Sequence, residues 1–493
     1  MTVTVTAASL SDSPAPSGSP VPSGTSVPSG TSGAGGLPRP YESYTYAYPH
    51  KTAYRPLDPG PGLAELWAGE SRRALSLYVH VPFCEVRCGF CNLFTRIGAP
   101  QGLTGRYLDA VRRQAAAVRE ALGGGEPPRF ANAAFGGGTP TFLSAAELER
   151  LCDIAERETG VDLRAVPLSV EASPSTATAD RLAVLAERGA TRLSLGVQSF
   201  VEEEARAAVR PQHRADVEAA LARIREAGIP VLNIDLIYGI DGQTAASWRY
   251  SLDAALAWRP EEIYLYPLYI RPLTGLGRSA DPRTADREWD QQRLRRYREG
   301  RDHLLAQGYE QVSMRMFRRG DAPPQGPDDY ACQTDGMIGL GCGARSYTSR
   351  LHYSFDYAVS MREIRGIIDD YTATTDFSRA LHGRWVDEDE ARRRHLLQSL
   401  LQSRGMALAE YRLRFGSDAW EDFPGELGAL AGRGWLDGES QGEGTGGGGR
   451  GSSSGTRSGL LRLSAEGLAH SDAIGPEFFS PAVRAAMAAY ETK

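Results

Sequence analysis

The sequence predicts an α/β fold: an open, partial (β/α)6 barrel of the TIM-like kind, followed by a small winged-helix-like α+β domain. Three observations predict it. Six short apolar, β-branched runs recur between Leu75 and Tyr269, separated by longer stretches with helical period. Six repeats fall short of the eight that close a barrel, so the sheet stays open. Beyond residue 385 the alternation stops, and helical stretches lead into two short apolar runs, "GWLDG" and "GLLRLS".

Residues 1–40 are a low-complexity Ser/Pro/Gly tail in which "VPSGTS" occurs twice over 21–32. Such a segment cannot bury enough apolar surface to offset its chain entropy, so disorder is expected there. An N-terminal extension, 41–74, leads to the barrel core, 75–300. Its strand candidates are 75–81, 129–137, 167–173, 191–199, 230–238 and 262–269. Helical stretches fall at 106–122, 145–159, 179–189 and 214–228. Ser144 is placed to cap the second of these, and Gly189 and Gly228 to stop the last two. Buried strands alternating with helices form parallel sheets, whose chemistry gathers at the C-terminal strand ends.

A barrel-flanking α/β extension, 301–384, contains a glycine-rich loop, "GMIGLGCGARSYTS", at 336–349. The small domain, 385–480, has helices at about 387–402, 406–415 and 421–433. Its wing is formed by "GWLDG" and "GLLRLS", with a flexible insertion at 439–458. A winged helix can bind DNA, but residues 385–480 hold 15 acidic and 10 basic side chains, a net of −5. That sign is wrong for a phosphate footprint. A lid or partner-docking role is expected instead, and no nucleic-acid partner.

The chain has 493 residues, 41% hydrophobic and 24% charged, with a net charge of −6. This is the profile of a globular protein with a core large enough to stand without disulfides. No apolar run is long enough to span a membrane, and no secretory leader is recognisable. The expected location is the cytoplasm, where clustered cysteines point to metal or catalysis rather than disulfides.

Three of the six cysteines lie within eight positions, in "HVPFCEVRCGFCNLF" (80–94). Cys84, Cys88 and Cys91 form C-x3-C-x2-C directly after the first strand. Charged and amide residues interleave or flank them, which argues against a set of buried, inert thiols. Zinc takes four N or S ligands, and the nearest candidate for a fourth is His80, inside the strand. A cubane [4Fe–4S] cluster takes one ligand per iron, so three cysteines leave one iron open to a ligand.

Other strand ends carry polar groups. "FGGGTPT" (135–141) follows the second strand, and its glycines let the backbone approach a ligand. Glu171, Gln198 and Asp235 each lie near the end of a different strand. Three such residues around one mouth suit an amine, ribose hydroxyls and a purine edge.

Over about residues 75–480 the sequence resembles the radical S-adenosylmethionine (SAM) group of oxygen-independent coproporphyrinogen III oxidase and the related heme chaperone. The matching stretches are "YVHVPFC", "FGGGTPTFL", "VEASPSTAT", "RLSLGVQSF", "NIDLIYG" and "GLGCGARSY", with the winged-helix-like domain. The resemblance implies that Cys84, Cys88 and Cys91 hold a [4Fe–4S] cluster and that SAM chelates the fourth iron. It implies that Tyr78 lies against SAM and that Gly137, Gly138 and Thr139 contact its amino-acid end. Glu171, Gln198, Arg210 and Asp235 match the remaining SAM contacts. A small-molecule substrate and a flavodoxin- or ferredoxin-type electron donor are the implied partners.

The chain departs from the oxidase pattern on the substrate side. Leu93 stands where that pattern has a fourth cysteine, and Arg271 where a glutamate is usual. Ile240 and Asp241 replace Leu-Pro, and Cys342 and Arg345 replace Ala and His. The reading is a radical SAM oxidoreductase, coproporphyrinogen oxidase-like, acting on an unidentified substrate. The alternatives are a methyltransferase or cyclopropanase using a second SAM, and a heme chaperone without redox catalysis. Arg271 could pair with an anionic substrate group; Cys152, Cys332 and Cys342 read as inert packing.

Overall fold

The computed structural model describes residues 39–124, 126–279, 287–324, 332–438 and 459–490. Most of the N-terminal tail and all of the 439–458 insertion lie outside them.

Among the described residues one sheet has thirteen strands. In chain order they are β1 (Arg55–Pro56), β2 (Leu75–Val81), β3 (Phe130–Gly137), β4 (Leu168–Ala172), β5 (Ala190–Gln198), β6 (Val231–Tyr238), β7 (Glu262–Pro267), β8 (Tyr309–Gln311), β9 (Met316–Arg319), β10 (Met337–Leu340), β11 (Arg345–Tyr347), β12 (Leu351–Ser354) and β13 (His382–Trp385). The spatial order is 1-13-12-11-10-2-3-4-5-6-7-9-8. Strands β2 to β7 pair in parallel, in sequence order. They are the six predicted strands, each within two residues of its predicted bounds.

Strand β10 adds to β2 in parallel. This corrects the expected 336–349 loop: "MIGL" and "RSY" are strands, and the turn between them is loop. Glycine is needed at Gly339, because a Cβ there would stand 2.1 Å from the Arg345 carbonyl oxygen. The remaining strands extend both edges in antiparallel fashion. The (β/α)6 repeat is thus the centre of a wider sheet.

The helices α1 (Leu103–Ala121), α2 (Ala145–Thr159), α3 (Ala179–Glu187), α4 (Arg214–Glu226) and α5 (Ala245–Leu256) alternate with the parallel strands. Their apolar stripes join one large core with the buried strand residues, including Val79, Phe135, Val170, Leu195 and Ile234. Each such side chain contributes about 1.5–3 kcal/mol by leaving water. Ser144 caps α2 in a reciprocal box: its Oγ accepts from the Glu147 amide, and Glu147 Oε2 accepts from the Ser144 amide. Gly189 and Gly228 follow α3 and α4 with φ of +86° and +70°.

A second apolar cluster gathers Leu396, Leu400, Tyr411, Phe423, Leu430, Trp435 and Leu461, and takes in Tyr48 and Ala53 from the N-terminal extension. The wing differs from expectation. Leu460–Leu461 pairs with Met406–Ala407, while "GWLDG" contributes the single bridge Leu436–Leu463. The third predicted helix is two, 419–422 and 424–432, because Pro424 starts a new helix at its first turn. The cluster is tied to the barrel by a buried ion pair. Arg315, beside β9, donates to Asp472 at 2.5 Å, and the Tyr269 hydroxyl donates to the same carboxylate. No helix among the described residues is long and apolar enough to cross a membrane.

Candidate functional site

Strand β2 carries Tyr78 and His80 to the point where the cysteine segment begins. Phe83 and Cys84 pair with Arg96 and Ile97, which closes the intervening residues into one loop. Cys84 and Cys88 are buried in it and Cys91 is half-buried. Cys84 Sγ lies 3.4 Å from Thr139 Oγ1, and Cys91 Sγ 3.8 Å from Thr95 Oγ1. Burial pushes the Cys84 thiol up to about 12 and the Cys91 thiol also up; Cys91 and Cys88 reinforce the first shift and Cys88 the second. Ligation removes those protons, so metal loading here releases them.

The mutual influence shows that the thiols are neighbours. Yet among the described residues no three His, Cys, Asp or Glu side chains close on the position of one ion. Three thiols in one closed loop fit a group that takes one ligand per metal. His80 is no fourth ligand. Its Nε2 is 2.9 Å from the Phe94 carbonyl and its Nδ1 3.2 Å from the Tyr78 hydroxyl. Burial holds it neutral, at about 4.

The glycine turn after β3 is laced onto the same segment. The amides of Gly138 and Thr139 donate to the carbonyls of Val81 and Phe83, each at 2.8 Å. Gly137 has φ +109°, and a Cβ on it would stand 2.3 Å from the His80 ring. Its amide donates to Glu171 Oε2 at 3.0 Å. The glycines therefore serve close packing against β2 and the residues after it, and the three amides are paired within the protein.

Glu171, next to last in β4, is exposed to solvent although protein surrounds it. Desolvation raises its carboxyl to about 7; the Gly137 amide opposes the rise and Asp235 adds to it. Asp235, on β6, accepts from Asn233 at 2.7 Å and from Ser194 at 3.2 Å. Burial raises its carboxyl too, against those bonds and Arg192. Gln198 ends β5 at a register break, with φ +71°. A non-glycine residue in that region costs of order 1–3 kcal/mol and is kept where its neighbours hold it. Arg210 donates to Cys88 Sγ at 3.1 Å, to the Gly196 carbonyl at 2.5 Å and to Gln212 at 2.9 Å.

The structure brings Cys84, Cys88, Gly137, Thr139, Glu171, Arg210 and Asp235 together. Contacts run from Cys84 through Thr139 and Gly137 to Glu171; Glu171 couples to Asp235, which couples to Arg210, which touches Cys88. Tyr78 feels Glu171 across the opening. Leu93, at the position of the missing cysteine, is 47% exposed and offers no fourth ligand.

The sequence reading missed other residues of the mouth. Tyr44 and Tyr46 of the N-terminal extension reach it: the Arg315 guanidinium lies 3.8 Å from the Tyr44 ring centre, and Arg345 donates to the Tyr46 hydroxyl at 2.7 Å. Tyr264 and Tyr266 of β7 stack with ring centres 5.8 Å apart, and both sense Asp235. Their signal was present, since they alternate with buried Ile263 and Leu265. Tyr44 and Tyr46 carry no such period.

Residues 78–255 match the family model of the radical SAM superfamily. The chain is 29% identical over 386 residues to the oxygen-independent coproporphyrinogen III oxidase of Escherichia coli (strain K12), covering 75% of this chain and 81% of that one. It is 26% identical over 361 residues to the heme chaperone HemW of Bacillus subtilis (strain 168), covering 73% and 92%. The solved structure of coproporphyrinogen III oxidase (HemN) from Escherichia coli matches with a TM-score of 0.70 at 23% identity, over 88% of this chain and 96% of that one. These comparisons show a radical SAM match over residues 78–255 and the HemN fold over most of the chain.

Proposed function

From a chain whose residues 78–255 match the radical SAM superfamily and which is similar to both an oxidase and a heme chaperone, we propose an enzyme that cleaves SAM reductively to abstract hydrogen from a small molecule. The observation that carries this is the mouth itself: three neighbouring thiols, no fourth, and polar strand ends connected to them. Cys84, Cys88 and Cys91 would hold the cluster. The chemistry the cofactors supply when bound is reductive cleavage of SAM to a hydrogen-abstracting 5′-deoxyadenosyl radical.

The chain's own groups bind and orient. Tyr78 would lie against SAM. Gly137, Gly138 and Thr139 with Glu171 would meet its amino-acid end, where the Glu171 carboxyl would accept an amine N–H. Gln198 and Asp235 offer hydrogen bonds to hydroxyls or a base edge. Arg210 keeps a positive charge against the Cys88 sulfur. Tyr44 and Tyr46 cover part of the opening, which keeps water from a reactive intermediate. Residues 75–300 act as the catalytic core and 385–480 as a lid or docking domain. The protein works in the cytoplasm with a flavodoxin- or ferredoxin-type donor.

The test is anaerobic reconstitution with iron and sulfide, then reduction with SAM present. Formation of 5′-deoxyadenosine is expected, and its loss in Cys88→Ala; absence of the product from the wild-type protein refutes the reading. S-adenosylhomocysteine appearing alongside would select methyl transfer with a second SAM. Stoichiometric heme binding without SAM cleavage would select the chaperone reading, which the HemW likeness keeps in play.

A further inference from the structure

Among the described residues, three basic side chains near the mouth have no carboxylate partner. Lys51 lies in the turn Lys51–Ala53 of the N-terminal extension. Its ammonium donates to the Tyr357 hydroxyl at 2.5 Å and sits 3.8 Å from that ring's centre. Tyr357 in turn donates to the Asn92 carbonyl, next to Cys91. Arg345 donates to the Tyr46 hydroxyl at 2.7 Å, with its guanidinium 4.8 Å from the ring centre. Arg271 packs over Tyr269 at 4.4 Å. Among the described residues none of the three makes an ion pair with Asp or Glu.

Lys51 and Arg345 act on the same point. Burial alone would raise the Tyr46 phenol, but the two cations together outweigh it and bring the phenol down. Both also reach His80, and Lys51 reaches Cys91. The pair therefore sits beside Tyr78 and the cysteine loop, on the side where a reacting molecule would meet SAM. Arg271 completes the field, since all three cations act on His50.

Two like charges held side by side and partly desolvated are costly unless an anion joins them. Anchoring the N-terminal extension by stacking and phenol hydrogen bonds needs one cation, or none. Lys51 is also one of two lysines among 55 basic residues, the other being Lys493. Where arginine is the default, a compact ammonium suits a narrow space between two phenols.

We propose that Lys51 and Arg345, with the Tyr46 hydroxyl between them, form a subsite for an oxyanion of the substrate, a carboxylate or a phosphate. The assignment of that anion to the substrate rests on the radical SAM reading; the binding of an anion does not.

The two-lysine composition makes the test direct. The full chain, anaerobic and with its cluster, is treated with pyridoxal 5′-phosphate and borohydride, and labelling at Lys51 and Lys493 is followed by mass spectrometry. Benzaldehyde, a neutral aldehyde, controls for the reactivity of each amine. We expect the anionic probe to favour Lys51 over Lys493 by about tenfold more than the neutral one does, a difference worth about 1.4 kcal/mol. Succinate or inorganic phosphate should protect Lys51, and whichever protects at lower concentration identifies the group. Arg345→Gln should abolish the preference and Arg345→Lys should keep it, with iron content and circular dichroism confirming that both fold.

Equal preference for the two probes, or an unchanged preference in folded Arg345→Gln, overturns the subsite. Protection by SAM alone as complete as that by succinate assigns the pair to SAM and overturns the substrate assignment. Production of 5′-deoxyadenosine without anion protection removes this inference only. Protection without 5′-deoxyadenosine supports the anion site and removes the enzymatic reading only.

Discussion

Among the described residues Arg210 donates to Cys88, a proposed cluster ligand, and that contact fixes the sign of a measurable shift. Its Nη1 donates to Cys88 Sγ at 3.1 Å, and its other nitrogens are tied to Gly196 and Gln212, so the charge cannot swing away. Reduction adds one negative charge to the cluster, and a fixed positive charge stabilises the reduced form. Arg210→Met removes that charge at nearly constant volume. Two unit charges about 4 Å apart interact by about 1 kcal/mol in water and about 4 kcal/mol at an effective dielectric constant of 20. For one electron this corresponds to roughly 40–170 mV. The midpoint potential of the cluster, measured without SAM by anaerobic redox titration followed by electron paramagnetic resonance, should therefore fall by an amount in that range. Arg210→Lys should recover most of the difference. A shift under about 20 mV, or an upward one, would refute the placement of Arg210 against a cluster ligand.

Three further outcomes follow. Asp472→Asn leaves Arg315 buried without its partner, which should cost about 3–5 kcal/mol in chemical unfolding, while the apolar double replacement Arg315→Met/Asp472→Leu should recover most of it. Gly137→Ala meets both a positive φ and the His80 ring, so it should lose at least about 2 kcal/mol and the ability to retain iron. Gly136→Ala has an ordinary φ and faces only the movable Glu171 carboxyl at 3.0 Å, so it should be milder by half or more in the same assays. The folded chain does not protonate His80 until about pH 4, whereas the unfolded chain does so near 6.5. Stability should therefore fall with acidification below pH 6.5, by up to about 1.4 kcal/mol per pH unit from this residue. His80→Gln should flatten that part of the urea-unfolding profile between pH 7 and 5.

The sequence was most readable where a residue's neighbours in the chain decide its structure. The six parallel strands are near-continuous apolar runs because both of their faces are covered, and so their ends could be placed closely. Ser144 with Glu147, and Gly189 and Gly228, are local signals for helix ends, and the structure uses all of them. The site residues were legible for a related reason: a parallel sheet brings its C-terminal strand ends to one mouth, so Cys84, Glu171, Gln198 and Asp235 could be grouped without knowing any distance.

What stayed hidden depends on contacts distant in sequence. Met337–Leu340 is four residues between glycines, too short to show a period, and is a strand only because β2 lies beside it. The N-terminal extension has no amphipathic pattern, yet Tyr46 meets Arg345 across 299 positions. Tyr48 packs with the second core in the same way, its amide donating to Gln333. The wing was misjudged because Met406–Ala407, preceding a helix, gave no sign of being a strand.

The central claim is that three cysteines are the functional number, leaving one iron for SAM. Mössbauer spectroscopy of the chain reconstituted with 57Fe, recorded with and without SAM, tests it most directly. The account predicts four irons per chain, of which one changes its signal when SAM is added while the other three do not. A four-iron cluster whose signals are all unaffected by SAM would contradict it, as would wild-type iron content in Cys88→Ala.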